Sequence, residues 1–113
     1  MQQDRLVVVW LSADRRAAAD MALLYLRESL LAGDWREAEL WLWGPPVALA
    51  AEETALLEEL RETAEAGVLL SACMDCAARY GVAQRLADEG IRVRGLSAEL
   101  TALLRSRAPL LLI

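Results

Sequence analysis

Leu6-Val7-Val8-Val9-Trp10-Leu11 is an unbroken apolar run with three successive β-branched valines and no polar residue to mark a solvent face. A strand with water on one side alternates apolar and polar residues, whereas a run without alternation is expected of a strand buried on both faces, inside a parallel sheet. Immediately after it, Ser12-Ala13-Asp14 supplies a polar turn with residues able to cap a helix. The following pattern is helical to about Ala32, where Gly33 is placed to end it. Ala19, Leu23, Leu26 and Leu30 form one stripe, while Met21, Leu24, Tyr25 and Leu31 widen the apolar surface beyond it. One face of this helix is expected on the sheet, and part of the rest is available to a partner.

The same alternation continues to the end. Glu39-Leu40-Trp41-Leu42-Trp43 reads as a second strand, stopped by Gly44-Pro45-Pro46 because proline lacks the N–H a ladder needs. Residues Val47 to Ala66 follow a helical pattern through Leu49, Leu56, Leu57, Leu60 and Ala64, with six glutamates on the other faces and Gly67 just past the end. Val68-Leu69-Leu70-Ser71-Ala72 is a third strand that delivers the chain to Cys73, and Ala77 to Glu89 reads as a helix broken near Gly81 and closed by Gly90. Ile91-Arg92-Val93-Arg94 alternates like a more exposed strand, Ser97 is able to cap a short helix to about Ser106, and Leu110-Leu111-Leu112-Ile113 is the last strand. Five strands separated by helical segments predict an α/β fold, a three-layer α/β/α sandwich with a mainly parallel five-stranded sheet covered on both faces. At 113 residues the whole chain, 1–113, reads as a single domain.

Composition narrows the function classes. Twelve Lys and Arg against 17 Asp and Glu give a net charge of −5, and the pI near 4.7 argues against a binder of phosphate backbones. No nucleic-acid partner is therefore expected. The hydrophobic fraction of 57% and mean hydropathy of +0.27 exclude a disordered chain and leave apolar surface that hints at oligomer interfaces. The apolar runs fall far short of the roughly 18–20 residues that cross a bilayer, so no membrane span is expected. The first run lacks the pattern of a signal peptide, which points to a cytoplasmic protein. There is no histidine, which removes the usual general base, every Cys-His or Ser-His pair, and the commonest metal ligand.

The chemistry then gathers at the carboxyl ends of the strands, where ligands collect in open parallel sheets. Ser12 and Asp14 follow the first strand, Gly44 and Pro45 the second, and Cys73-Met74-Asp75-Cys76 the third. Cys73 and Cys76, in C-x-x-C spacing, are the candidate catalytic residues; Ser12, Asp14, Gly44, Pro45 and Asp75 are the candidate rim. A cysteine at a strand tip before a helix is placed to become a nucleophile, although Asp75 adds opposing charge nearby. Cys76, one helical turn on, is close enough to resolve a disulfide formed at Cys73. The plainer alternative is two small buried apolar side chains. Two thiolates without histidine make an incomplete zinc set, the surroundings of the pair lack the Trp or Pro of thioredoxin-type sites, and the loop after the first strand lacks the cradle a flavin phosphate requires. No cofactor and no metal are expected. Trp10, Trp41 and Trp43 read as core or interface residues and Trp35 as a local anchor.

In order and spacing, Leu6-Val7-Val8-Val9-Trp10 with Ser12 and Asp14, Leu42-Trp43-Gly44-Pro45, Ala66-Gly67-Val68, Ala72-Cys73-Met74-Asp75-Cys76-Ala77, Tyr80-Gly81-Val82 and Gly90-Ile91 resemble the DsrE/DsrF-like family, especially its small single-domain members with a double-cysteine motif. The resemblance implies an α/β/α domain of five strands, assembly as a homo-oligomer such as a trimer or hexamer, and a role in sulfur relay between donor and acceptor proteins. It places the sulfur-carrying cysteine at Cys73, at the end of the third strand and ahead of a helix with a later glycine, Gly81; Cys76 matches only some members. Under this expectation Cys73 carries sulfane sulfur as a persulfide, which requires neither histidine nor metal. Two other function classes stand beside it: a non-catalytic oligomeric scaffold, and a dithiol-disulfide redox protein using both cysteines.

Overall fold

A computed structural model describes residues 4–113. The strands are β1 (Arg5–Trp10), β2 (Glu37–Leu42), β3 (Leu69–Cys73), β4 (Arg92–Arg94) and β5 (Leu110–Leu112). Helix α1 covers residues 15–31 as Arg15–Ala17, a π-helical stretch Ala18–Leu23, and Leu24–Leu31. It is followed by α2 (Pro45–Glu52), α3 (Thr54–Glu65), α4 (Met74–Tyr80), α5 (Ala83–Asp88) and α6 (Ser97–Arg105).

All four strand pairings are parallel, and the spatial order is β4-β3-β2-β1-β5. The first three connections step the chain in one direction, and the last carries it from one edge of the sheet to the other. Right-handed crossovers then place α1 to α5 on one face and α6 on the opposite face. The core divides accordingly. Leu6, Val8, Trp10, Leu40, Leu42 and Leu70 pack with residues of α1 to α5. Val7, Val9, Trp41 and Cys73 pack with Leu96 and Leu103 at α6. The fold is thus α/β with three layers, but cover on the second face comes from one helix.

Four local expectations need correction. The continuous helix expected from Val47 to Ala66 is two helices, because Glu53 adopts extended backbone (φ −108°, ψ 107°) between them. Pro45 and Pro46 open α2 as well as ending the strand, since their fixed φ suits a first turn whose N–H groups have no intrahelical partner. Ser97 is the first residue of α6; the capping position is Leu96, which offers no side-chain hydrogen bond. In α1, i to i+5 bonding widens the turn by a residue, so Ala18 and Ala22 join Leu23 and Leu26 in the core while Ala19 is half-buried.

Candidate functional site

The carboxyl ends of β1, β2 and β5 are tied together by backbone hydrogen bonds from Trp43 N–H to the Trp10 carbonyl (3.1 Å) and from Leu11 N–H to the Ile113 carbonyl (2.7 Å). Gly44 follows with φ +79° and ψ −135°, a backbone shape that side chains with a Cβ resist. That turn brings the Gly44 backbone beside Cys76. Two ends of the expected rim therefore meet, one from β2 and one from α4.

Cys73 is the last residue of β3 and leads directly into α4, with extended backbone (φ −61°, ψ 122°). It is 6% exposed, within the apolar layer beneath α6. Cys76 lies in the first turn of α4, half-buried, and packs against both apolar layers. Both cysteines are free thiols, and their side chains lie close together. Burial, then the hydrogen bond and charge of Cys73, push the Cys76 thiol up, against the lowering influence of the Gly44 N–H and the Arg79 charge.

The remaining rim residues have local duties. Asp14 caps α1 by accepting the Ala17 N–H at its Oδ1 (3.0 Å), and the Ser12 hydroxyl accepts the Asp14 N–H (3.3 Å). Pro45 is exposed at the start of α2, and Asp75 is exposed on the first turn of α4. Trp10 and Trp41 are wholly buried. Trp43 is half-buried against the Cys73 layer, 6.4 Å from Trp41 between ring centres. The Trp35 indole N–H reaches the Tyr25 hydroxyl at 3.4 Å.

Sequence reasoning passed over a second constellation on the same sheet face. Glu39, 1% exposed, accepts hydrogen bonds from Ser71 Oγ (2.7 Å), Arg94 Nη2 (2.7 Å), Arg5 Nη2 (2.7 Å) and Arg92 Nη2 (3.3 Å). Arg5 also pairs with Glu37 (3.1 Å) and Glu99 (3.0 Å), and Arg94 with Glu99 (2.6 Å). The Arg94 guanidinium carbon lies 5.7 Å from the Trp41 ring centre. Burial opposes charge on Glu39, but hydrogen bonds from Ser71, Arg94 and Arg5 outweigh it and hold the carboxyl below its ordinary value. Burial likewise opposes charge on Glu99, and Arg94 and Arg5 overcome it. The available signal was spacing: Glu37 and Glu39, Arg92 and Arg94, and Arg5 all occupy one side of their strands.

No protein-family model and no curated protein matches the chain. A solved structure, that of a conserved protein of unknown function from Bacteroides thetaiotaomicron, is 31% identical over 97% of this chain and 95% of that one, with a TM-score of 0.93. The chain belongs to the family of that protein. Among the described residues, no helix is long and apolar enough to cross a membrane.

Proposed function

We propose that this protein is a sulfur carrier of the sulfur-relay type, related to the DsrE/DsrF-like family, that holds sulfane sulfur as a persulfide on Cys73. The observation that carries this reading is the pair of adjacent free thiols at the carboxyl end of β3. In loading, the Cys73 thiolate attacks the terminal sulfur of a donor persulfide. A new S–S bond forms at Cys73, the donor S–S bond breaks, and the donor leaves as a thiolate with the bonding electron pair. An acceptor thiolate takes the terminal sulfur by the same exchange in reverse. Alternatively, Cys76 attacks the inner sulfur, expels hydrosulfide and leaves a Cys73–Cys76 disulfide, which a dithiol reductant must then reduce. Ser12, Asp14, Asp75 and the Gly44-Pro45 turn shape the approach.

Intact-mass measurement after exposure to a small-molecule persulfide tests this. A gain of about 32 Da in wild type and Cys76→Ser but not in Cys73→Ser is expected for a relay through Cys73. An unmodified Cys73 in folded protein overturns the reading.

The closeness of the two free thiols favours one further chemistry, dithiol–disulfide exchange, in which both thiols are oxidised to a disulfide while a substrate disulfide is reduced to two thiols. Cys76→Ser traps a mixed disulfide at Cys73 if this operates, and no such adduct forms if it does not. A cytoplasmic setting suits free thiols in either chemistry.

Partners are part of the same proposal: donor and acceptor proteins, and a homo-oligomer, trimeric or hexameric. Met21, Leu24, Tyr25 and Leu31 remain exposed on α1, and apolar side chains gathered on one helix are a habitual contact surface. Light scattering of wild type and Leu24→Glu/Leu31→Glu distinguishes the cases, because a monomeric wild type removes the oligomer from the proposal.

A further inference from the structure

A carrier cysteine must meet its donor, yet Cys73 is 6% exposed. Its cover can be traced through the fold. Arg94, the last residue of β4, is the in-register neighbour of Cys73, and the chain continues from it through Gly95 and Leu96 into α6. Leu96 and Leu103 share the buried layer with Cys73, and Leu100 packs against it. Among the described residues, α6 is the sole helix packed on this face, and Leu103 is its one buried residue. Its polar tether is Glu99, bound to Arg94 Nη1 at 2.6 Å and to Arg5 Nη2 at 3.0 Å.

The entry to α6 is unencumbered. Gly95 has no atom within 4 Å of where a Cβ would stand. At the other end the helix is capped: Arg107, left-handed at φ +56°, donates its N–H to the Leu104 carbonyl (3.2 Å) and Ala108 N–H reaches the Leu103 carbonyl (3.0 Å), so this end serves as a fixed pivot. Helices with little buried surface open locally without unfolding the domain.

We infer that α6 with its Gly95–Leu96 lead-in is a hinged cover over Cys73, latched shut by the ion pairs of Glu99 with Arg94 and Arg5. The inference rests on the carrier reading for its purpose but not for its measurement. Undocking α6 admits a donor to Cys73, and redocking shields the loaded sulfur from bulk reductant. A negatively charged partner that draws Arg94 or Arg5 away from Glu99 opens the cover.

The test uses a Cys76→Ser background, so that labelling reports on Cys73 alone, and an uncharged methanethiosulfonate reagent. Replacing Glu99 by Gln is expected to speed labelling on the order of fivefold, as loss of a partly exposed ion-pair latch implies. Added salt should speed the parent and leave Glu99→Gln unchanged. Amide exchange should quicken over residues 97–105 and not over β1 and β2. Arg92→Gln, which loses a contact to Glu39 but none to Glu99, should label like the parent. Unchanged labelling in Glu99→Gln overturns the cover, as does faster exchange spread evenly through β1 and β2, because that reports global destabilisation. Sulfur loading is read separately by mass: gated labelling without a persulfide retains the cover and removes the carrier, and a persulfide without gating does the reverse.

Discussion

Replacing Glu39 by Gln is the most informative single change to the charged face. Glu39 Oε1 accepts from Arg5, and Oε2 accepts from Ser71, Arg94 and Arg92. An amide preserves the shape but supplies one oxygen and one NH2 group, so at least one of these donors faces another donor in either orientation. Hydrogen bonds to a charged group contribute about 1.5–3 kcal/mol each when well sheltered. Discounts apply, because Arg5 and Arg94 are each 27% exposed and Arg92 56% exposed, and freed guanidinium groups recover hydration. Removing the carboxylate also relieves its desolvation, which offsets part of the loss. The net expectation is a destabilisation of about 2–3 kcal/mol, a large share of the roughly 5–15 kcal/mol that holds a domain together. Urea unfolding followed by tryptophan fluorescence measures it, with Trp41 beneath Arg94 as a local reporter. Arg92→Gln is the internal standard, expected below about 1 kcal/mol as an exposed pair. A Glu39→Gln cost no larger than that of Arg92→Gln refutes the reasoning, since it makes the buried carboxylate equivalent to a surface ion pair.

Further outcomes follow from the same contacts. Glu39 and Glu99 have folded pKa values below their ordinary 4.5, so their stabilisation is present above about that pH and is lost as pH falls through the folded values; Tm against pH should fall on the acid side, and less steeply in Glu39→Gln. In Cys73→Ala, Cys76 loses the neighbouring thiol that helps raise it, so the pH midpoint of its alkylation should move down, and an unchanged or higher midpoint counts against that influence. Gly44→Ala forces a Cβ onto a backbone of φ +79° and ψ −135°, a change expected to destabilise by about 1–3 kcal/mol; an unaltered Tm would show that this turn tolerates side chains.

What the sequence disclosed depended on whether the information was local. Leu6 to Trp10 announced a strand buried on both faces, and the structure places it in the sheet interior between β2 and β5. Gly81, left-handed at φ 70°, separates α4 from α5 where the break was expected. The split at Glu53 was invisible because apolar spacing continues across it, and the π-helical widening of α1 leaves no periodic mark of its own. Strand order is a property of crossovers between distant segments, so periodicity carries none of it. At the site, C-x-x-C spacing identified the pair, but not that Cys73 is the buried member and Cys76 the half-buried one. Ser12 and Asp14 have the chemistry of a ligand rim and also that of a helix cap, and the structure shows the capping contacts. The Glu39 cluster joins four segments far apart in sequence, so only alternation within each strand hinted at it.

The division of the second sheet face bears on why the thiols sit where they do. Along the strands, the amino-terminal half of that face carries Arg5, Glu37 and Glu39, while the carboxyl half carries Val9, Trp41 and Cys73. A charged half tolerates thin cover, because its groups neutralise one another and draw on water at the margin. The apolar half gains nothing from water and needs α6 to close it. Glu99 connects the two requirements: it lies on the helix that closes the apolar half, and its carboxylate is held by Arg5 of the charged half and by Arg94, which stands in register with Cys73. Stability of the charge network and access to Cys73 are therefore energetically coupled. A change that loosens the hold of Arg5 or Arg94 on Glu99 should be read at Cys73, even one at Glu39, which positions both arginines without belonging to the thiol pair.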